Sequence, residues 1–303
     1  CGGFPGNPYM MEQLDPLGTS VTTACSYSPA DKGYGIRAAV WAGANFDKEA
    51  APMLFDRGIV APGVDGGYVA SDSAFGGKAF PGPIRQYNPG TQPFLKVNRN
   101  GERFANESSP YNDIVYAAAH QPGRVYAQIC DANVLEDAKR FHTIGCSAQT
   151  RAGGEKYFQG KVDEAVAAGT LFVCDTIEEL ADKLGLPKET FTATVDHYNE
   201  LAAKGEDEDY GKENYRLSTL SEAPFYGVRQ AGGYLICTID GIQIDDNMHA
   251  IDQDFKAIPG LYVIGDMSGN YFSGSYPSLM AGAAAGRSAT FGRLAGQNAA
   301  AGI

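Results

Sequence analysis

The residues best placed to do chemistry run from Ile258 to Gly296. Leu261 to Ile264 is a short apolar run entered through Pro259-Gly260 and left through Gly265-Asp266, the pattern of a strand buried in a parallel sheet. From Ser278 onward the chain is mostly Ala and Gly, with Leu279, Met280, Phe291 and Leu294 as its only large apolar residues. That composition predicts a helix with Ser278 as N-cap and Gly296 as stop. A helix so poor in side chains lets another group approach its backbone. Its N-terminus offers unpaired N–H groups and partial positive charge. Strand, Gly265-Asp266 turn and small-residue helix together describe a site for an anionic or electron-rich cofactor. A tightly packed core helix would give the same pattern.

The elements that must position this stretch come from a chain of 303 residues, 44% hydrophobic, long enough for one large domain or two smaller ones. A net charge of −12 argues against nucleic acid and anionic membranes as partners. No apolar run is long enough to span a bilayer. Cys1 to Gly6 has neither the basic nor the apolar region of a signal peptide, and looks like the exit of a strand, so earlier sequence is expected. The six cysteines include no C-x-x-C pair and the four histidines no H-E-x-x-H spacing. Isolated thiols and no metal site are expected.

Gly33-Tyr34-Gly35 precedes a helical signal ending near Ala44, and residues 46–100 read as long loops with short strands. Phe94 to Val97 reads as a strand. Ser108-Ser109-Pro110 predicts a helix from Tyr111 to His120, and Val125 to Ile129 another strand. Thr176 caps a helix to Leu184, and Pro187 opens a second, Lys188 to Ala203. Lys204 to Tyr215 is a charged loop. Residues 232–251 alternate as strands, with hairpin turns at Asp240-Gly241 and Asp245-Asp246-Asn247.

Three segments together resemble the fumarate reductase/succinate dehydrogenase-like flavoproteins, a family that includes urocanate reductases and 3-ketosteroid dehydrogenases. Cys1-Gly2-Gly3-Phe4-Pro5-Gly6-Asn7 is similar to the tail of that family's A-T-G-G-F-x-x-N segment. Val97 to Glu107 is similar to its V-N-x-x-G-x-R-F-x-N-E motif. Pro259 to Asp266, with Phe291 to Gly296, is similar to its P-G-L-Y-A-x-G-E … F-G-R-x-A-G close. The resemblance implies an α/β fold: part of a Rossmann-like FAD-binding domain with an inserted α+β capping domain. On that pattern residues 1–45 and 230–303 belong to the FAD-binding domain and 46–229 mainly to the cap. It implies FAD and hydride transfer between flavin N5 and a carbon–carbon bond. The family's N-terminal strand, G-x-G-x-x-G loop and ribose-binding acid are absent, so this chain alone is expected to bind FAD poorly. Either a longer protein or a partner chain supplies that half.

The same resemblance assigns roles. Gly2 and Gly3 would pass beside the ADP part, and Gly265-Asp266 would meet the ribityl or ribose hydroxyls. Ser278 and Leu279 would open the helix facing the flavin N1–C2=O edge. The family's proton-donating Arg falls at Tyr111, its carboxylate-clamping Arg at Tyr276, and its His near Ile236 or Cys237. A dicarboxylate would be left with buried, unpaired charge, so fumarate and urocanate are disfavoured. Tyr276-Pro277 is similar instead to the Y-P segment of ketosteroid dehydrogenases. A Tyr hydroxyl donates without carrying charge, which suits a neutral enone. Tyr276 and Tyr111 are the catalytic candidates, with Tyr271 a weaker third, although among 17 tyrosines each could be an ordinary packed ring. Asn106 and Glu107 have a more structural reading, with Glu107 pairing with Arg103 or capping a turn. Two other readings stand beside the enone. One is reduction of an acrylate held by Arg85 or Arg229; the other is a non-catalytic chain that completes a flavoprotein. An electron-donor protein or domain is implied, and the location is either cytoplasmic or exported.

Overall fold

The computed structural model describes residues 1–303 except 27, 83–91, 144–148, 273 and 278–279, with only the backbone of 149–151. The chain is α/β. Its strands are β1 (Thr22–Cys25), β2 (Pro52–Gly58), β3 (Val69–Ala70), β4 (Lys78–Ala79), β5 (Lys96–Val97), β6 (Tyr126–Cys130), β7 (Leu171–Cys174), β8 (Phe225–Thr238), β9 (His249–Ile251) and β10 (Ala257–Tyr262). Its α-helices are α1 (Pro8–Leu14), α2 (Pro16–Val21), α3 (Tyr34–Trp41), α4 (Tyr111–Ala117), α5 (Val134–Arg140), α6 (Gln149–Ala167), α7 (Ile177–Leu184), α8 (Lys188–Lys204) and α9 (Ala283–Ala301).

The axis of the molecule is β8. Its first half pairs antiparallel with β7 and β6, and β6 continues to β5. Its second half pairs antiparallel with β2 and parallel with β1. Small residues let the last three strands cross. A Cβ on Gly58 would lie 2.3 Å from the Gly233 carbonyl oxygen, and one on Gly233 2.9 Å from that of Val21. Such a closeness forbids a side chain at either position. β8 runs unbroken through residues 229 and 230.

Local signals account for the helices in the middle of the chain. The Thr176 hydroxyl caps α7 by accepting from the Glu179 N–H at 3.1 Å, and Gly185 (φ 71°) closes it. Leu180, Leu184, Phe191, Val195 and Tyr198 bury the inner faces of α7 and α8 against Leu95, Val97 and Ile129. A second core joins Phe4, Met11, Ile36, Leu54, Ile114 and Leu235.

Three expectations need correction. β10 pairs antiparallel with β9, and its residues are exposed or partly buried, none fully buried. The apolar run 261–264 is therefore the end of a hairpin arm and the step beyond it, with Val263 buried in the second core, and no other described strand lies beside β10. α9 begins at Ala283 after Gly282 (φ 79°) and runs through Gly296 to Gly302. Ser278 and Leu279 lie outside the described residues. Asp240-Gly241 is no hairpin turn. Asp240 is 1% exposed, and Ile242 beyond it bridges Phe46 and Ser268. At Asp245–Asn247 the chain does turn, with Ile244 bridging Ala250 and the Asp245 carboxylate accepting from the Asn247 and His249 N–H groups.

Candidate functional site

Tyr111 is the first helical residue of α4, set there by Pro110, and is 9% exposed. Its ring meets Phe55 of β2 edge-on at 4.9 Å and packs with Ala24 and Tyr234. Tyr276 is 4% exposed and packs among Ala51, Ile239, Phe272 and Ala283, with the Phe272 ring centroid 5.3 Å away. The Tyr276 hydroxyl oxygen accepts from the Ala284 N–H in the first turn of α9 at 3.4 Å. Met53 packs against both tyrosine clusters, with Ile236 added to that of Tyr111 and Cys237 to that of Tyr276. The fold thus brings two tyrosines from distant segments to one ribbon, β2–β8. The two positions matched to the family His carry an apolar side chain and a thiol. Burial pushes that thiol up, out of the range where it ionises near neutrality.

A cavity of about 280 Å³ opens beside the Tyr276 cluster and shares Ala51, Ile239 and Phe272 with it. Asp47 shapes its rim. The Asp47 carboxylate accepts from the Asn270 N–H at 3.1 Å and the Gly241 N–H at 3.3 Å. A Cβ on Gly269 would lie 1.9 Å from that carboxylate, so a side chain there would push Asp47 off these N–H groups. Tyr271 is 46% exposed, edge-on to Phe272 and Phe291.

Gly265 (φ 66°) and Asp266 form the turn between β10 and the loop to Tyr276. Burial raises the Asp266 carboxyl; the Arg287 charge and a hydrogen bond from Cys237 oppose it, and Asp31 adds to it. Gly2 belongs to the same place, since a Cβ on it would meet the Asp31 carboxylate at 2.2 Å. Gly3 faces Thr238, whose hydroxyl oxygen accepts from the Phe4 N–H at 3.0 Å. Gly2, Asp31, Gly265, Asp266 and the end of β8 therefore converge at the base of α9. Arg287, 3% exposed, fixes the Gly265–Ser268 turn among them: it donates to the Gly265 and Ser268 carbonyl oxygens at 2.7 and 3.2 Å.

Other candidates lie elsewhere. Arg229 stacks 4.4 Å over Phe172 on β7, away from both tyrosine clusters, and Arg85 lies outside the described residues. Arg103 pairs with Glu107 and Asp207, and Lys212 lies 3.3 Å from Glu107, which gives Glu107 a structural task. The Asn106 amide donates to the Tyr210 carbonyl oxygen. Sequence reasoning missed Asp31, Asp47, Met53, Arg57 and Arg287. Of these only Arg287 left a signal, a cation among the Ala and Gly of α9. Arg57, 2% exposed, lies 4.4 Å over the face of Phe55. Among the described residues no three His, Cys, Asp or Glu side chains are grouped to hold a metal, and no helix is long and apolar enough to cross a membrane.

The FAD binding domain family matches residues 1–279. A vinyl phenol reductase of Lactiplantibacillus plantarum is 31% identical over 304 residues, 99% of this chain and 59% of that protein. A 3-oxosteroid 1-dehydrogenase of Mycobacterium tuberculosis is 31% identical over 315 residues, 97% of this chain and 51% of that protein. The chain thus spans about half the length of the curated relatives it matches. Among solved structures, a 3-ketosteroid delta1-dehydrogenase from Sterolibacterium denitrificans shares the fold. Its TM-score is 0.67 at 24% identity, covering 100% of this chain and 52% of that one. With 279 of its 303 residues matched by that family, the chain belongs to the FAD binding domain family of flavoproteins.

Proposed function

We propose that this chain carries the substrate-facing part of an FAD-dependent oxidoreductase that moves a hydride between the flavin and a C=C bond activated by a carbonyl, in an apolar substrate. The observation that supports it is the pair of buried tyrosines sharing Met53, with Ile236 and Cys237 between them. A dicarboxylate there would lose its hydration among apolar side chains, at a cost of several kcal/mol. In this reading residues 1–45 and 230–303 hold the flavin and 46–229 mainly cap it. Electrons come from a donor protein or domain, and the rest of the FAD site comes from sequence outside these residues.

The residues present fit FAD. A Cβ on Gly282 or Gly286 would meet nothing within 4 Å, so the start of α9 presents bare backbone, and Arg287 one turn on lies 3.6 Å from the Asp266 carboxylate. Gly265, Asp266 and that helix end would hold the group; when bound it supplies or accepts the hydride. The chain's own residues do the rest. The Tyr276 oxygen accepts the Ala284 N–H, which leaves its proton to give to the substrate as charge builds on the carbonyl oxygen. Tyr111 stands at the other cluster for the second proton position. Phe55, Phe272 and Met53 keep water away from both.

Replacing Tyr276 by Phe is expected to cut enone turnover by about 10²-fold or more, with flavin retained. Unchanged turnover overturns the assignment. Arg57 favours a second reading, an acrylate held by its carboxylate, because it lies over the ring that Tyr111 touches. The similarity to a vinyl phenol reductase adds a neutral aryl alkene to the substrate panel. Acrylate turnover that Arg57→Met abolishes, with enones inactive, would establish that reading in place of the first.

A further inference from the structure

One side chain touches both the start and the middle of the loop that carries the candidate residues. Arg287 sits on the second turn of α9 with its side chain fully buried. Nη2 donates to the Gly265 carbonyl oxygen at 2.7 Å and Nη1 to that of Ser268 at 3.2 Å. The guanidinium lies 4.8 Å from the Phe272 ring centroid and 5.5 Å from that of Tyr271. Phe272 in turn is the ring on which Tyr276 rests. The Asp266 Oδ1 is 3.6 Å from Nη2, beyond hydrogen-bond length, and the Asp266 side chain stays 32% exposed. Two donors are therefore spent on main-chain carbonyls, which fixes the conformation of the turn. The carboxylate is drawn into one orientation, and beyond the hydrogen bond from Cys237 it keeps acceptor capacity for a ligand.

We propose that Arg287 is the positioning residue of this site: it sets the Asp266 carboxylate toward the cofactor and, through Phe272, the ring of Tyr276. The inference rests on the reading of Asp266 as a flavin-holding group. Lysine keeps the charge but lacks the planar fork that spans both carbonyls.

The test is a double-mutant cycle on FAD affinity in the whole flavoprotein, followed by flavin fluorescence, with thermal melts to confirm folding. Arg287→Lys and Asp266→Asn are each expected to weaken FAD by about tenfold. The double variant is expected to be no weaker than the weaker single within about twofold, because one acts through the other. Arg287→Lys should also lower kcat on the enone more than it changes KM. Independent, multiplying losses overturn the proposal while leaving Asp266 its role, and so does an unchanged affinity in Arg287→Lys. An unchanged affinity in Asp266→Asn overturns the reading of Asp266 and this proposal with it. Should Arg287→Lys not fold, Arg287→Gln, neutral and able to reach one carbonyl, reads the same cycle.

Discussion

Asp15 and Asp240 are buried carboxyls held without a partner cation. Asp15 caps α2 by accepting from the Gly18 N–H at 3.0 Å, and its second oxygen has no partner. Burial, reinforced by the charge of Asp240, pushes it up to about 8. Asp240, both of whose oxygens lack partners, is pushed up to about 7, by burial first and then by Asp47. In the unfolded chain both titrate near about 4. Between that value and 7–8 the native state holds protons that the unfolded state has released, so stability falls as pH rises through this window. Asp207 acts in the opposite sense and below it. Burial alone would raise Asp207, but Arg103 outweighs it and holds it at about 2, so its contribution is lost only in strong acid. The melting temperature is expected to drop by several degrees between pH 5 and pH 8. Asp240→Asn, which stays neutral, should flatten the drop; a wild-type melting temperature constant over that range would refute the assignment.

At the scale of elements, buried charge also gives the Arg103–Glu107 segment a structural task. Glu107, with both its side chain and that of Lys212 fully buried, receives two hydrogen bonds from Arg103 and lies 3.3 Å from Lys212. Burial would raise its carboxyl, and the Lys212 and Arg103 charges outweigh that and lower it. These contacts pin the turn after β5 to the loop after α8. Glu107→Ala leaves the buried Lys212 without the carboxylate beside it and Arg103 with Asp207 alone, and should cost about 3–5 kcal/mol in a denaturant melt. A loss below about 1 kcal/mol would mean the network is dispensable. The same elements show what a sequence makes legible. α4, α7 and α8 announce themselves through Pro110, Thr176 and Pro187, because a cap is local chemistry. The strand at 261–264 and the start of α9 do not, because burial and pairing depend on which elements come to lie beside them. The Tyr111 and Tyr276 positions followed from family motifs, whereas Met53, which both clusters touch, carries no local mark at all.

For the whole molecule, the question is how much of a flavin site these residues make. Asp266 and Gly265 are half-buried, and Ile264, Tyr271, Met280 and Leu294 near them in the chain or on α9 are 37–56% exposed. The relatives that match nearly all of this chain are about twice its length or somewhat less. Holding a dinucleotide takes donors to its pyrophosphate, commonly a glycine-rich turn at a helix N-terminus, and no G-x-G-x-x-G stands among these 303 residues. Residues 1–303 produced alone should therefore purify without bound flavin and show weak FAD affinity, improving when the remaining family sequence is supplied in cis or in trans. The visible spectrum together with the intact mass decides it. Flavin bands at one equivalent on a species of 32.2 kDa would show that this chain holds the cofactor unaided. The pyrophosphate would then have to be held by N–H or cationic donors of this chain without a glycine-rich fingerprint turn, and the expectation that the missing half is needed would fall.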